Sequence, residues 1–163
     1  MSWMSALRTT IVCAILIVLH YTLRPLIAWD NVDIDFLLIA LIFGAVRLRP
    51  GLAGVYGLLL GLMADSLALD AFGSSALAMC TVGFAASWLK AVFFADNLVL
   101  NGFFLFLGKW VFDLISLIAG HHAQGGALLM QFLVWAPLSA LVTATVGVVC
   151  LMLLRPLMEV RTA

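Results

Sequence analysis

The apolar residues of this chain come in long runs separated by short gaps that hold most of the charged residues. Reading between the gaps gives runs over Thr9 to Ala28, Ile34 to Val46, Gly51 to Leu69, Ser74 to Ala95, Leu98 to Ala119 and Leu128 to Leu154. A helix needs about 20 apolar residues to cross a hydrocarbon core roughly 30 Å thick, so these runs predict six transmembrane helices. The second run is short for a crossing: Asp33 and Asp35 precede it and Arg47 follows it closely. It spans if its ends snorkel or the bilayer thins locally, and is otherwise re-entrant.

The gaps alternate in charge. With the amino terminus inside and six crossings, Arg8, Arg47, Arg49, Lys90, Arg155 and Arg161 fall on one side. Asp30, Asp33, Asp35, Asp70 and the His121/His122 pair fall on the other. The positive-inside rule makes the basic side cytoplasmic and places both termini there. Trp3, Trp29, Trp88 and Trp135 lie towards run ends, where interfacial anchors belong.

Composition narrows the class further. Of 163 residues, 66% are hydrophobic and 10% charged, and the mean hydropathy is +1.23. A water-soluble domain would not remain soluble with such a surface. The expected architecture is therefore all-α, a polytopic membrane helix bundle forming one integral membrane domain over residues 1–163. The first run continues to about Trp29 without a small-x-small cleavage site, and is expected to stay as an uncleaved span. No basic patch supports nucleic-acid binding. Cys13, Cys80 and Cys150 sit inside apolar runs without metal-ligand spacing and read as small buried hydrophobes; no cofactor or metal is expected.

Five ionisable residues interrupt the runs: His20, Arg24, Asp65, Lys109 and Asp113. Each would cost about 2.5 to 3.5 kcal/mol at mid-span if it faced lipid as an ion, so these side chains should face protein or water. Counting from the outer span ends puts Arg24, Asp65, Lys109 and Asp113 in the outer half of one bundle, which predicts a charge-compensated cluster of these four, with His20, one turn below Arg24, as a candidate fifth member. Lys109 and Asp113 are i,i+4 neighbours and can meet directly. Asp65 needs a partner from another helix, for which Arg24 is the first candidate. Such a cluster serves either as a clamp on helix positions or as a proton or ion relay.

Gly57, Gly61 and Asp65 share one stripe on the third run, and Gly-x-x-x-Gly lets another helix approach closely. Ala136, Ala140 and Ala144 make a similar small-residue stripe on the last run. Both are candidate faces for helix packing or for a partner, inside this chain or outside it. Catalysis by two intramembrane aspartates finds no support: Asp65 lies in Gly61-Leu-Met-Ala-Asp65 rather than Gly-x-Gly-Asp, and Lys109 beside Asp113 opposes a shared proton. The chain is not expected to be an enzyme.

Gly57-Leu-Leu-Leu-Gly61-Leu-Met-Ala-Asp65-Ser-Leu, followed by Gly73-Ser-Ser-Ala-Leu, resembles the MreD family of bacterial rod shape-determining membrane proteins. The Asp35 to Val46 run and the Arg47 to Gly51 turn add to the resemblance, although Ile34-Asp35 stands where that family usually opens with Pro-Asp. The resemblance covers nearly the whole chain, and Asp65 maps onto the aspartate of the family's Gly-x-x-x-Gly-x-x-x-Asp stretch. It implies a scaffold of the cell-elongation machinery in the bacterial cytoplasmic membrane, supporting cell shape and peptidoglycan synthesis. The partners it implies are MreC, MreB, RodA and a penicillin-binding transpeptidase, besides the lipid bilayer itself. Arg47, Arg49, Arg155 and Arg161 would face anionic lipid or a cytoplasmic filament, or serve only as the topology signal. The competing expectation is the substrate-binding membrane subunit of an energy-coupling-factor transporter. In that case His20, Asp65, Lys109 and Asp113 would line a ligand pocket, with Trp110 stacking on the ligand.

Overall fold

A computed structural model describes residues 3–27, 34–66, 72–90, 98–120 and 130–158. Among these residues every regular element is helical. They are α1 (Trp3–Ile27), α2 (Phe36–Ala45), α3 (Pro50–Asp65), α4 (Ser74–Trp88), α5 (Leu98–Gly120) and α6 (Ala136–Met158), with a π-helical turn at Gln131–Trp135 leading into α6. Asp30, Asp33, Asp70, Trp29, His121, His122 and Arg161 lie outside the described residues, as do the side chains of Trp3, Arg24 and Arg155.

Local chemistry sets the element ends. Asp35 caps α2, its carboxylate accepting a hydrogen bond from the Leu38 amide at 3.1 Å. Pro50 opens α3, where its missing N–H costs nothing, and it holds Arg49 extended at φ −74°, ψ 151°. Gly73 precedes α4 at φ 101°, a left-handed conformation that disfavours any residue with a Cβ. The turn before α6 widens because Pro137 has no amide hydrogen and its ring crowds the carbonyl four residues back. The Ala136 amide accordingly reaches the Gln131 carbonyl, five residues back.

α2 is the centre of the bundle. All ten of its residues are buried, from Phe36 to Ala45, as expected for a helix that is apolar on every face. Its neighbours run antiparallel in sequence order. Cys13 lies by Ala40 while His20 lies by Asp35, Gly57 faces Met79 while Gly83 faces Ala53, and Gly102 faces Val148 while Gly147 faces Leu105. One end of the bundle therefore holds Arg8, Arg47, Arg49 and Lys90, and the opposite half holds Asp35, Asp65, Lys109 and Asp113.

Large apolar side chains cover much of the outer surface, and several polar groups lie within an otherwise apolar interior. Leu7, Ile15, Leu52, Leu59, Phe103 and Leu141 are among the exposed large hydrophobic residues, whereas His20, Asp35, Asp65, Asn101, Lys109 and Thr143 are buried. Water would impose the reverse arrangement; a lipid surround permits this one. Two stretches, Val99–Ala119 and Gln131–Leu153, are long and apolar enough to cross a membrane. Leu7–Thr22, Phe36–Ala45, Pro50–Asp65 and Ser74–Trp88 are shorter apolar helices. Within the described residues, α3 extends to Asp65 and α4 to Trp88. At about 1.5 Å per residue, α2 rises roughly 15 Å, half of the hydrocarbon thickness.

Candidate functional site: a buried ionic cluster and a capping aspartate

Three of the ionisable residues singled out in the sequence come together at the amino-terminal end of α2, joined by one that was not. Lys109 of α5 pairs with Asp113 one turn along, Nζ to Oδ1 at 2.5 Å. Its ammonium also lies 3.8 Å from Asp35 Oδ2 and 4.9 Å from the centre of the Phe112 ring. On the other side of the Asp35 carboxylate, Oδ1 faces His20 Nδ1 of α1 at 3.6 Å. The Asp35 backbone N–H donates to Thr143 Oγ1 of α6 at 3.4 Å. Asp35 thus ties α1, α2, α5 and α6 together within a few ångströms.

Sequence reading placed Asp35 in an outer loop with Asp30 and Asp33. The structure buries it, with 8% of its surface exposed. The available signal was its position directly before the first residue of an apolar helix, where an aspartate satisfies orphan amides. Burial then follows because the capped helix is itself wrapped by the rest of the bundle. A cavity of about 230 Å³ opens beside the cluster, lined by His20, Asp35, Lys109 and Asp113 together with Ser75 and Ser116.

Asp65 does not join these ions; this corrects the expected four-residue charge cluster. Its carboxylate accepts hydrogen bonds from the backbone amides of Gly73 (2.9 Å), Ser75 (3.2 Å) and Ala76 (3.0 Å). Those amides open α4 and have no partner within their own helix. Asp65, 1% exposed at the end of α3, is thus the amino-terminal cap of the next helix, and its negative charge faces the positive end of that helix dipole. Arg24, the cation first considered for it, has no described side chain.

The glycine stripe explains how Asp65 gets there. A Cβ on Gly57 would sit 2.2 Å from the Met79 carbonyl oxygen, and one on Gly61 would sit 2.3 Å from Ala76 Cα. Both atoms are backbone, so α3 and α4 touch main chain to main chain. Two turns of close approach carry the third member of the stripe, Asp65, over the α4 amides. The neighbour of Gly57 and Gly61 is therefore in this chain.

The alanine stripe also faces inward: Ala136, Ala140 and Ala144 are buried, and Gly147 beside them faces Leu105 of α5. Of the basic residues, Arg47 is half-buried in the α2–α3 turn and Arg49 is exposed just before α3. Trp110 stacks on Phe132 at 5.4 Å between ring centres, so its ring is engaged within the bundle. Among the described residues, no group of three His, Cys, Asp or Glu side chains is placed to hold a metal ion.

These features define a class: a helical bundle with an apolar exterior, ionic groups inside and its small-residue faces turned inward. Within that class, the family model for the rod shape-determining protein MreD matches residues 3–160, and the chain belongs to the MreD family. No curated protein and no solved structure matches it. Membership assigns the chain a role in rod-shape determination and in the machinery that carries it out. The family is one of shape-determining structural proteins.

Proposed function

We propose that this chain is a non-enzymatic scaffold of the cell-elongation machinery, embedded by six helices in the bacterial cytoplasmic membrane with both termini inside. The observation that carries the reading is the family match over residues 3–160. Two features of the bundle support it. Successive helices alternate in direction, with Arg8, Arg47, Arg49 and Lys90 at one end, as a positive-inside bundle requires. The internal charges and small-residue stripes are engaged in holding the helices together, which suits a rigid platform. On this reading the partners are MreC, with MreB, RodA and a penicillin-binding transpeptidase in the larger complex. They meet the outward apolar faces of the helices rather than the Gly57/Gly61 or Ala136/Ala140/Ala144 faces. α2 completes its passage because protein, not lipid, surrounds it, so its short length meets no hydrophobic mismatch.

The transporter-subunit reading has less behind it. The polar cavity, about 230 Å³, falls below the roughly 300 to 1,000 Å³ typical of small-molecule sites, and its charged residues contact one another. A mild-detergent pull-down of the tagged protein from its native membrane, with mass spectrometry of the co-purifying chains, separates the two. Recovery of MreC and cell-wall synthases is the expected result; recovery of paired ATPases with a coupling membrane subunit would overturn it.

A further inference from the structure

The outward side of the α3–α4 hairpin carries an open groove of about 610 Å³. Gly54, Ala76 and Cys80 form its floor, and the exposed side chains of Leu58, Leu77 and Phe84 stand along its edges. Between its ends the lining is apolar, and the Thr81 hydroxyl already donates to the Leu77 carbonyl of its own helix. A polar ligand or a hydrogen-bonding partner helix has nothing to grip there. An alkyl chain fits this lining.

One end of the groove differs from the rest. Gly51 lies at that end, next to the exposed Arg49, and α4 finishes beside it with the exposed Trp88 and Lys90. The Ser87 hydroxyl donates to the Leu48 carbonyl at 2.7 Å, which fixes the end of α4 against the α2–α3 turn. Among the described residues no carboxylate lies at this end. The first amides of α3 also point this way, and Arg49 provides no side-chain cap for them. An apolar channel closed at one end by two cations and a helix amino terminus has the polarity of a phospholipid.

We propose that this groove is a binding site for an anionic phospholipid, one acyl chain lying along Gly54, Ala76 and Cys80 and the headgroup phosphate meeting Arg49 and Lys90. α3 rises about 24 Å, enough for the roughly 15 Å that a chain covers from headgroup level to mid-bilayer. The inference rests on the membrane-embedded reading above. The two fail differently: a chain not embedded would leave the membrane in an alkaline wash, whereas failure of the lipid site leaves it embedded and unselective.

The test is native mass spectrometry of the full chain released from mixed micelles holding equal amounts of phosphatidylglycerol and phosphatidylcholine. Retention of phosphatidylglycerol should exceed that of phosphatidylcholine roughly thirtyfold, the order expected when two surface cations each contribute. Arg49→Gln with Lys90→Gln should abolish the preference. Gly51→Phe should reduce total lipid retention without unfolding the protein, because a Cβ at Gly51 meets nothing within 4 Å. Arg8→Gln, at the same end of the bundle but off the groove, should leave the preference unchanged. Equal retention of both lipids, or an Arg8→Gln effect as large as that of the Arg49/Lys90 pair, would overturn the proposal. So would a Gly51→Phe variant that keeps its lipid but loses a co-purifying protein, since the groove would then be a protein contact.

Discussion

Asp35 and Asp65 are both buried aspartates at helix ends, but they meet opposite kinds of partner. Asp65 is satisfied by three backbone amides, whose positions are set by α4 itself. Asp35 caps its own helix and then faces two side chains, His20 and Lys109, beside a cavity. The first carboxylate closes a hairpin locally; the second joins four helices that are distant in sequence. Removing a partner should therefore have local consequences at Asp65 and wide ones at Asp35.

The largest effect is expected from Lys109→Met. It leaves the Asp113 and Asp35 carboxylates without their shared ammonium, a loss on the order of 3 to 5 kcal/mol for a buried pair broken on one side. Thermal unfolding in detergent should show it as a much lower midpoint, with recovery when Asp113→Asn is added. Next comes Gly61→Leu, whose side chain would enter the Ala76 backbone; about 1 to 3 kcal/mol or more is expected, read as loss of monodisperse protein.

Asp65→Ala should cost about 1 to 3 kcal/mol by leaving the α4 amides unpaired, and Asp65→Asn less, because an amide oxygen still accepts. A double-mutant cycle sharpens the contrast. Asp35→Asn with Lys109→Met should show a coupling of about 0.5 to 3 kcal/mol, while Asp65→Asn with Lys109→Met should add within about 0.5 kcal/mol. Coupling of similar size in both cycles would erase the distinction between the two carboxylates. The smallest effect is a gain: Gly51→Ala, in open space on α3, should stabilise the helix by about 0.5 kcal/mol.

Legibility in the sequence followed the range of each interaction. Lys109 and Asp113 could be paired from their spacing, since i,i+4 residues on a helix meet whatever surrounds them. The Gly57, Gly61 and Asp65 stripe could be read the same way. Asp65's partners could not, because backbone amides carry no mark in the sequence, whereas a cationic side chain does. Asp35 was missed for a different reason: an aspartate before an apolar run reads equally well as a loop residue or a cap. Only the packing of α1, α5 and α6 around it decides that it is buried. The enclosure of α2 belongs to the same category, since only the packing of the neighbouring helices buries all ten of its residues.

The complete enclosure of α2 also bears on how the chain is made. Synthesis proceeds from the amino terminus, so α2 emerges when α1 alone is present to shield it. Asp35 arrives with it, ahead of Lys109 by about 240 Å of extended chain at the roughly 3.3 Å that each residue spans. Thr143 comes later still. Until α5 is made, the carboxylate lacks the Lys109 ammonium that it faces in the finished fold. The central helix of the finished molecule is thus among the last to reach its final surroundings, although it is the second to be translated.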